Sequence, residues 1–328
     1  MDKINSIMKK LLILLFSILI SFNSYGSYHS YSETICVDTD AQEKGGIIYL
    51  PSKTKPFTGK NLCKYENSQN KSKGKVKDGK RDGKWIRWHV NGQIQQEGNY
   101  KDGKKDGKWT WWHENGQIKS EKNYKDGNLV SETQYVYNDN FQILFIRNYS
   151  GLSNDNNLVS KTRYSYHENG QIKTEENYKE GKKNGKWTNW YENGQKMIEG
   201  HYINGKYDGL WTQWYANGQI FLQGNYSEDM LIEEWTQWYK NGNQYFSGKY
   251  NNSNQEGYWS YYSPSGLDSA IIYYSEGKPQ EGKKIEWYDN GKKESEITYV
   301  SGRIKGPVAY WYENGNKKLV ENLSLIHI

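Results

Sequence analysis

The chain has little of what an ordinary globular core is made from. Apolar residues are 34% of its 328, and the mean hydropathy is −1.06, a balance that by itself leans toward disorder. It has no strong excess of charge. Forty-four Lys and Arg stand against 38 Asp and Glu, a formal +6 that falls to about +4 once Lys3, Lys9, Lys10 and Asp2 are set aside with the first 26 residues. That is too mild, and too evenly mixed, for a nucleic-acid binder. There are two cysteines, Cys36 and Cys63, and neither has a partner at metal-ligand spacing, which argues against zinc. No phosphate-binding glycine loop, nucleophile elbow or dinucleotide fingerprint is present. What the chain has instead is rings. Aromatic residues are 16% of it, with 30 Tyr and 14 Trp. Disordered chains avoid aromatics, so a thin, extended structure that buries area through rings is expected.

Residues 1–26 read as a signal peptide. Three lysines form a positive start, Leu11 to Phe22 a short apolar run, and Ser24-Tyr25-Gly26 a cleavage site of small residues. A membrane anchor is the alternative, but the run falls short of the ~20 residues that span a bilayer. Export to the periplasm, cell surface or exterior is the expectation. In such a compartment Cys36 and Cys63 are able to form a disulfide, two free thiols being the other reading. Residues 27–58 form an N-terminal segment.

From Gly59 onward the chain repeats. Trp85 and Trp109, and then Trp187, Trp211, Trp235 and Trp259, are spaced by 24, the second set standing six residues out of step with the first, and Trp88, Trp112, Trp190, Trp214 and Trp238 follow three residues behind. Asn-Gly pairs at 91 and 115, and at 169, 193, 217 and 241, keep the step within each set, and those at 290 and 314 resume the second set one residue later. About eleven units of roughly 24 residues cover 59–322. Residues 59–82 are a degenerate first unit, and 131–160 are a lengthened one without Trp. The last residues, 323–328, break the pattern and read as a foreign tail.

Asn-Gly between alternating runs predicts a hairpin with a two-residue type I′ turn. Pairing across Asn217-Gly218 sets Tyr215 against Ile220, Gln213 against Leu222 and Trp211 against Gly224. The same arithmetic sets Trp85 against Gly98, Trp187 against Gly200 and Trp235 against Gly248. A ring over each glycine would fill the gap it leaves. Alternation then places Trp211, Tyr215, Ile220, Leu222 and Tyr226 on an apolar face. Thr212, Trp214, Gln219, Gln223 and Asn225 lie on a polar one. Lys-Asp-Gly turns link successive hairpins. The expected fold is all-β, an elongated array of antiparallel hairpins forming a single-layer meander or open solenoid, with little or no helix.

The unit Asp-Gly-Lys-Trp-x-x-Trp-Tyr/His-Glu-Asn-Gly-Gln-Ile-x-x-Glu-x-Asn-Tyr-Lys-Asp-Gly at 106–127, with the opening Pro56-Phe57-Thr58-Gly59, resembles the bacterial MORN-variant repeat of proteins labelled YwqK-type antitoxins. The resemblance spans about residues 56–322. It implies an array of β-hairpins, a non-enzymatic binding role and, through the label, a co-encoded toxin as partner. Units 131–160, 257–281 and 282–305 depart from the pattern.

His89, His113 and His167 share a slot with Tyr191, Tyr215 and Tyr239, so packing and hydrogen bonding explain them better than catalysis. Glu97, Glu121, Glu175 and Glu199 recur at a solvated slot among lysines, unlike an isolated catalytic pair. Asp102 and Asp106 flank Lys104 and Lys105, which puts cations where calcium ligands would belong. No cofactor is expected. Trp85, Trp109, Trp187, Trp211 and Trp235 are expected to be structural, with Gly98, Gly200, Gly224 and Gly248. Trp88, Trp112, Trp190, Trp214, Trp238, Trp287 and Trp311 form the candidate binding ladder. Packing between hairpins is the plainer explanation of that row, and a platform for a protein partner the sharper one. The alternative is a cell-wall or glycan-binding module, since the hairpins also resemble choline- and glucan-binding repeats of about 20 residues. An enzyme ranks last.

Overall fold

A computed structural model describes residues 33–151 and 157–322. The signal segment and the tail expected at the two ends lie outside the described residues. Among the described residues, apart from the helical turn Val37–Asp40, the named elements are all β-strands, as the repeat pattern predicts. The chain divides into two compact units. One runs to Gly107 and includes Glu114–Gly116; the other holds Lys108–His113 and everything from Gln117 onward.

The second unit is built from the repeats. In one of them, strands Lys206–Trp214 and Ile220–Ser227 pair antiparallel with Trp211 opposite Gly224 and Gln213 opposite Leu222, the register read from the sequence. Near the loop the register departs from that reading, because Ile220 faces Trp214 rather than Tyr215. The turn is the cause. Tyr215 N–H donates to the Gln219 carbonyl (2.8 Å), and Gly218 N–H donates to the Tyr215 carbonyl (2.9 Å), so the loop is Ala216-Asn217-Gly218. Gly218 has φ 86°, and Asn217 is not among the residues with positive φ. This is a type I turn closed by a glycine bulge, not the two-residue type I′ turn expected.

Asn217 is there for its side chain. Its Oδ1 accepts from Gln219 N–H (3.1 Å), which shapes its own loop, and its Nδ2 donates to the Lys240 carbonyl of the next loop (3.2 Å). Asn169, Asn193, Asn241 and Asn290 make the same two bonds. At the opposite end of the strands the linking turns are joined by backbone bonds, such as Gly205 N–H to the Lys183 carbonyl (2.7 Å) and Asp229 N–H to that of Tyr207 (3.0 Å).

Between hairpins a wide bulge sets the position of the first Trp. Gly200 alone stands across from Gly209-Leu210-Trp211, and Gly209 takes φ 72°. The bulge throws the Trp211 ring backward onto Gly200. A Cβ on Gly200 would fall within the Trp211 ring, one on Gly224 within that of Trp235, and one on Gly248 within that of Trp259. The expected ring-over-glycine packing is therefore present but offset by one hairpin. Trp211 pairs with Gly224 through the backbone and covers the glycine before it. Each ring is then held by its indole N–H, which donates to a carbonyl ten residues back: Trp211 to His201 (3.2 Å), Trp235 to Asn225 (3.1 Å), Trp259 to Lys249 (3.1 Å). Trp187 has Glu176 where the others have glycine. Its ring does not reach full burial, and its N–H turns to Asn189 Oδ1 (3.1 Å).

Tyrosines fill the spaces between these rings. Trp187, Tyr202, Trp211, Tyr226, Trp235, Tyr250, Trp259 and Tyr274 follow one another with centroids 4.9–6.2 Å apart, each contact edge-to-face. That is the favoured geometry for aromatic pairs, about 0.5–1.5 kcal/mol each beyond the area they bury. This row is the core.

In the first unit the same hairpin begins with a cap. Thr34–Ile35 runs parallel to Lys60–Asn61, and the Cys36–Cys63 disulfide joins the two segments. Asn61, one step of 24 before Trp85, replaces the indole with a small amide. It is 1% exposed, donates to Ser72 Oγ (3.0 Å) and accepts from Val37 N–H (2.8 Å). The leading segment thus sits where a preceding repeat would, and it covers part of an otherwise open strand edge. Trp85 lies over Gly74 and donates to the Lys75 carbonyl (3.0 Å), while its backbone faces Gly98.

Candidate binding surface

The two tryptophan rows have separate fates, as alternation predicts. In the first row Trp85, Trp109, Trp211 and Trp235 are 2–5% exposed, and Trp187 is the half-buried exception just described. In the second row Trp88, Trp112, Trp190, Trp214, Trp238 and Trp311 are all half-buried. Trp287 is a correction. At 6% exposure it belongs to a buried cluster with Trp259, Tyr261, Ile272, Tyr274 and Ile285. Lys284 holds the first-Trp slot of that repeat and pairs with Glu286 (2.8 Å), so Trp287 packs inward in place of the missing indole.

The second row is braced through its own backbone. The Tyr191 hydroxyl donates to the Trp214 carbonyl (2.8 Å), Tyr215 to Trp238 (2.9 Å) and Tyr288 to Trp311 (2.8 Å). His167 Nε2 bonds the Trp190 carbonyl in the same way (2.9 Å). Tyr and His thus exchange freely in this slot because either ring reaches one carbonyl of the next repeat. Burial raises the pKa of the Tyr215 and Tyr239 hydroxyls, which keeps them donors. With two strands per repeat, equivalent rings stand about 10 Å apart.

Around this row the face is polar and charge-balanced. Lys108 pairs with Glu121 (2.6 Å), and Lys283 with Glu296 (2.7 Å). Glu199 takes both Lys186 (2.9 Å) and Lys196 (2.6 Å). Lys196 also lies 5.6 Å from the Trp214 ring centroid, a cation–π distance. Gln223 donates to Thr212 Oγ1 (3.0 Å) beneath.

The face also carries exposed apolar groups that the repeat arithmetic did not single out. Leu210 (54% exposed) and Tyr258 (74%) occupy the slot that Lys108 and Lys186 hold in other repeats. Ile271, at 54%, stands one strand away, beside Tyr273, which faces Tyr258. The signal was available in the sequence as an apolar residue in a lysine slot. Among the described residues no group of three or more His, Cys, Asp or Glu is placed to hold a metal ion.

This geometry defines a β-hairpin repeat protein whose two faces differ in purpose, one consumed by packing and one left half-open. The repeat itself has a known form. A family model described as the MORN repeat variant matches residues 81–102, 105–126, 161–180, 183–204, 207–228 and 280–301, and these segments are MORN-variant repeats. No curated protein matches the chain. Solved structures with some likeness include the TcdB2-TccC3-Cdc42 crystal structure, at 13% identity and TM-score 0.18 over 82% of this chain and 18% of that one. The Photorhabdus luminescens Tc holotoxin pore gives 13% and 0.19 over 85% and 16%. This chain thus spans under a fifth of either, and at such TM-scores the likeness carries no weight for function.

Proposed function

We propose that the chain is a non-enzymatic scaffold of the cell envelope or exterior that holds a protein partner on the face bearing Trp214. The observation that carries this is the contrast between the faces. Trp211 and its equivalents are sealed by glycine and tyrosine, whereas Trp190, Trp214 and Trp238 stay half-exposed on a rigid support. Exposed Leu210, Tyr258 and Ile271 share that support. Half-open aromatic groups with a polar surround are the usual composition of interface centres. Repetition about every 10 Å lets weak contacts add along a partner. The Cys36–Cys63 disulfide supports an oxidising compartment, in keeping with the leader expected at 1–26. In the immunity form of this reading the partner is a toxin encoded beside it.

The test is recovery of a stoichiometric partner from the native envelope by the wild-type chain, followed by Trp214→Ala and Tyr258→Ser. Both variants should melt as wild type and lose the partner. Recovery of no protein under any growth condition, or undiminished recovery by both variants, refutes the reading. Sedimentation with purified cell wall instead would point to the glycan-binding alternative.

A further inference from the structure

The packed face is interrupted at the lengthened repeat. Thr133 and Arg163 stand where the step of 24 would put tryptophan, one repeat after Trp109 and one before Trp187. Lys122 and Glu176 stand in the matching glycine slots. Lys161 occupies the position of Gly209, so no residue of positive φ makes the wide bulge there and the ladder runs straight through. Phe145 therefore faces Arg163, and Arg147 faces Lys161, directly across the strands.

Like charges directly opposite on a sheet destabilise it. Arg163 pairs with Glu176 (3.8 Å), which also lends Lys161 a weaker opposing charge, but neither Arg147 nor Lys161 makes an ion pair of its own among the described residues. Both instead lean on Phe145, at 5.5 and 4.2 Å from its centroid. Lys183, across from Tyr178, turns its ammonium onto Trp187 (3.8 Å). Beside the cluster lies an open cavity of about 400 Å³, lined by Ser160, Lys161, Arg163, Tyr178 and Glu180 among others.

We infer that this break in the aromatic face is a binding site for a single carboxylate, supplied by an acidic side chain of the protein partner. The inference rests on the partner reading above. Four cations, Arg147, Lys161, Arg163 and Lys183, meet two carboxylates, Glu176 and Glu180, so positive charge is in excess here. That excess suits an anion, and Glu176 and Glu180, standing close by, would repel a dianionic phosphate more strongly than a carboxylate. Burial, followed by Arg147 and Arg163, lowers the pKa of Lys161, and a carboxylate in the cavity would reverse that. The site also explains why the repeat is broken here: tryptophan at 163 would fill the place where the charge is needed.

The test uses the full chain with a labelled peptide of alternating Ala and Glu, its Gln counterpart, and inorganic phosphate as competitor. The Glu peptide should bind and raise the melting temperature at constant ionic strength, with the Gln peptide at least about tenfold weaker, the usual worth of a charge-assisted bond. Lys161→Met and Arg147→Met should each weaken binding about tenfold while leaving the unliganded chain as stable or slightly more stable, because the like-charge pair is gone. Equal binding of both peptides, unaltered binding by the two variants, or phosphate outcompeting the Glu peptide overturns the inference. A native partner captured equally by Lys161→Met removes this site and leaves the partner reading standing. Peptide binding without any native partner does the reverse.

Discussion

Gly224→Ala tests the offset of rings and glycines most directly. Gly224 is buried, has no positive φ, and lies beneath Trp235. A methyl group there must expel an indole that is 4% exposed and breaks its bond to the Asn225 carbonyl as it goes. Overpacking costs about 1–3 kcal/mol and the lost hydrogen bond about 1. Against this, alanine restricts the unfolded chain and returns about 0.4–1 kcal/mol. The net expectation is a loss of about 1–3 kcal/mol. A double-mutant cycle identifies the ring concerned. With Trp235→Leu, Gly224→Ala should become nearly neutral, a coupling above about 1 kcal/mol; with Trp211→Leu the two losses should add within about 0.5. Urea unfolding followed by far-ultraviolet circular dichroism gives all the values needed. A larger coupling to Trp211, the residue facing Gly224 in the backbone ladder, would refute the offset packing.

Glu233 replaces the bulge glycine of its repeat and is held at φ 58°, a conformation that costs a residue with a side chain about 1–2 kcal/mol. Glu233→Gly loses an exposed bond from Asn225 (3.0 Å) and some unfolded-state restriction, and should still match or exceed wild type by up to about 1 kcal/mol in urea unfolding. Tyr215→Phe removes the bond to the Trp238 carbonyl and should cost about 1 kcal/mol, whereas His167→Tyr should be nearly neutral by the same measurement. Bonds from Lys283 and Lys293 hold Glu296 below the ordinary carboxylate range, and at Glu199 the ammonium groups of Lys186 and Lys196 outweigh the upward push of burial. Both folded pKa values lie below the unfolded one, so this stability is complete above about pH 4.3 and is lost as pH falls through the folded values. Urea midpoints at pH 7 and pH 3 should therefore differ less in a Glu199→Gln, Glu296→Gln variant than in wild type.

Much of the fold was legible because its signals are local. The step of 24 and the pairing of Trp211 with Gly224 follow from turn position and strand alternation alone. The offset of the ring was not, because it depends on a bulge between hairpins, and Asp-Gly at 208–209 reads as a turn residue pair as readily as a bulge. The loop type was misread for a related reason. Asn217 looks like a residue chosen for positive φ, and its actual task, a bond to the next loop, shows only once loops are neighbours. Trp287 kept its phase in the sequence, but Lys284 three residues earlier had removed the ring that usually fills the core. The bracing of His167 and Tyr215 was anticipated as hydrogen bonding; its target, a carbonyl of the following repeat, was not.

The bonds from Asn217 and Tyr215 reach forward by one repeat and no further, to Lys240 and Trp238. Each regular repeat therefore offers its neighbour the same donors and asks of it the same carbonyls, so the interface between two such repeats is interchangeable with the next. Duplication of 24 residues in the gene would insert a working unit whose every contact already existed, and deletion of 24 would close the gap without a mismatch. Lengths that are not multiples break the exchange, as the added residues between 131 and 160 do. A lineage carrying such a gene can lengthen or shorten its surface by recombination alone, while point substitutions in one repeat, such as Arg163 for tryptophan, are free to specialise it.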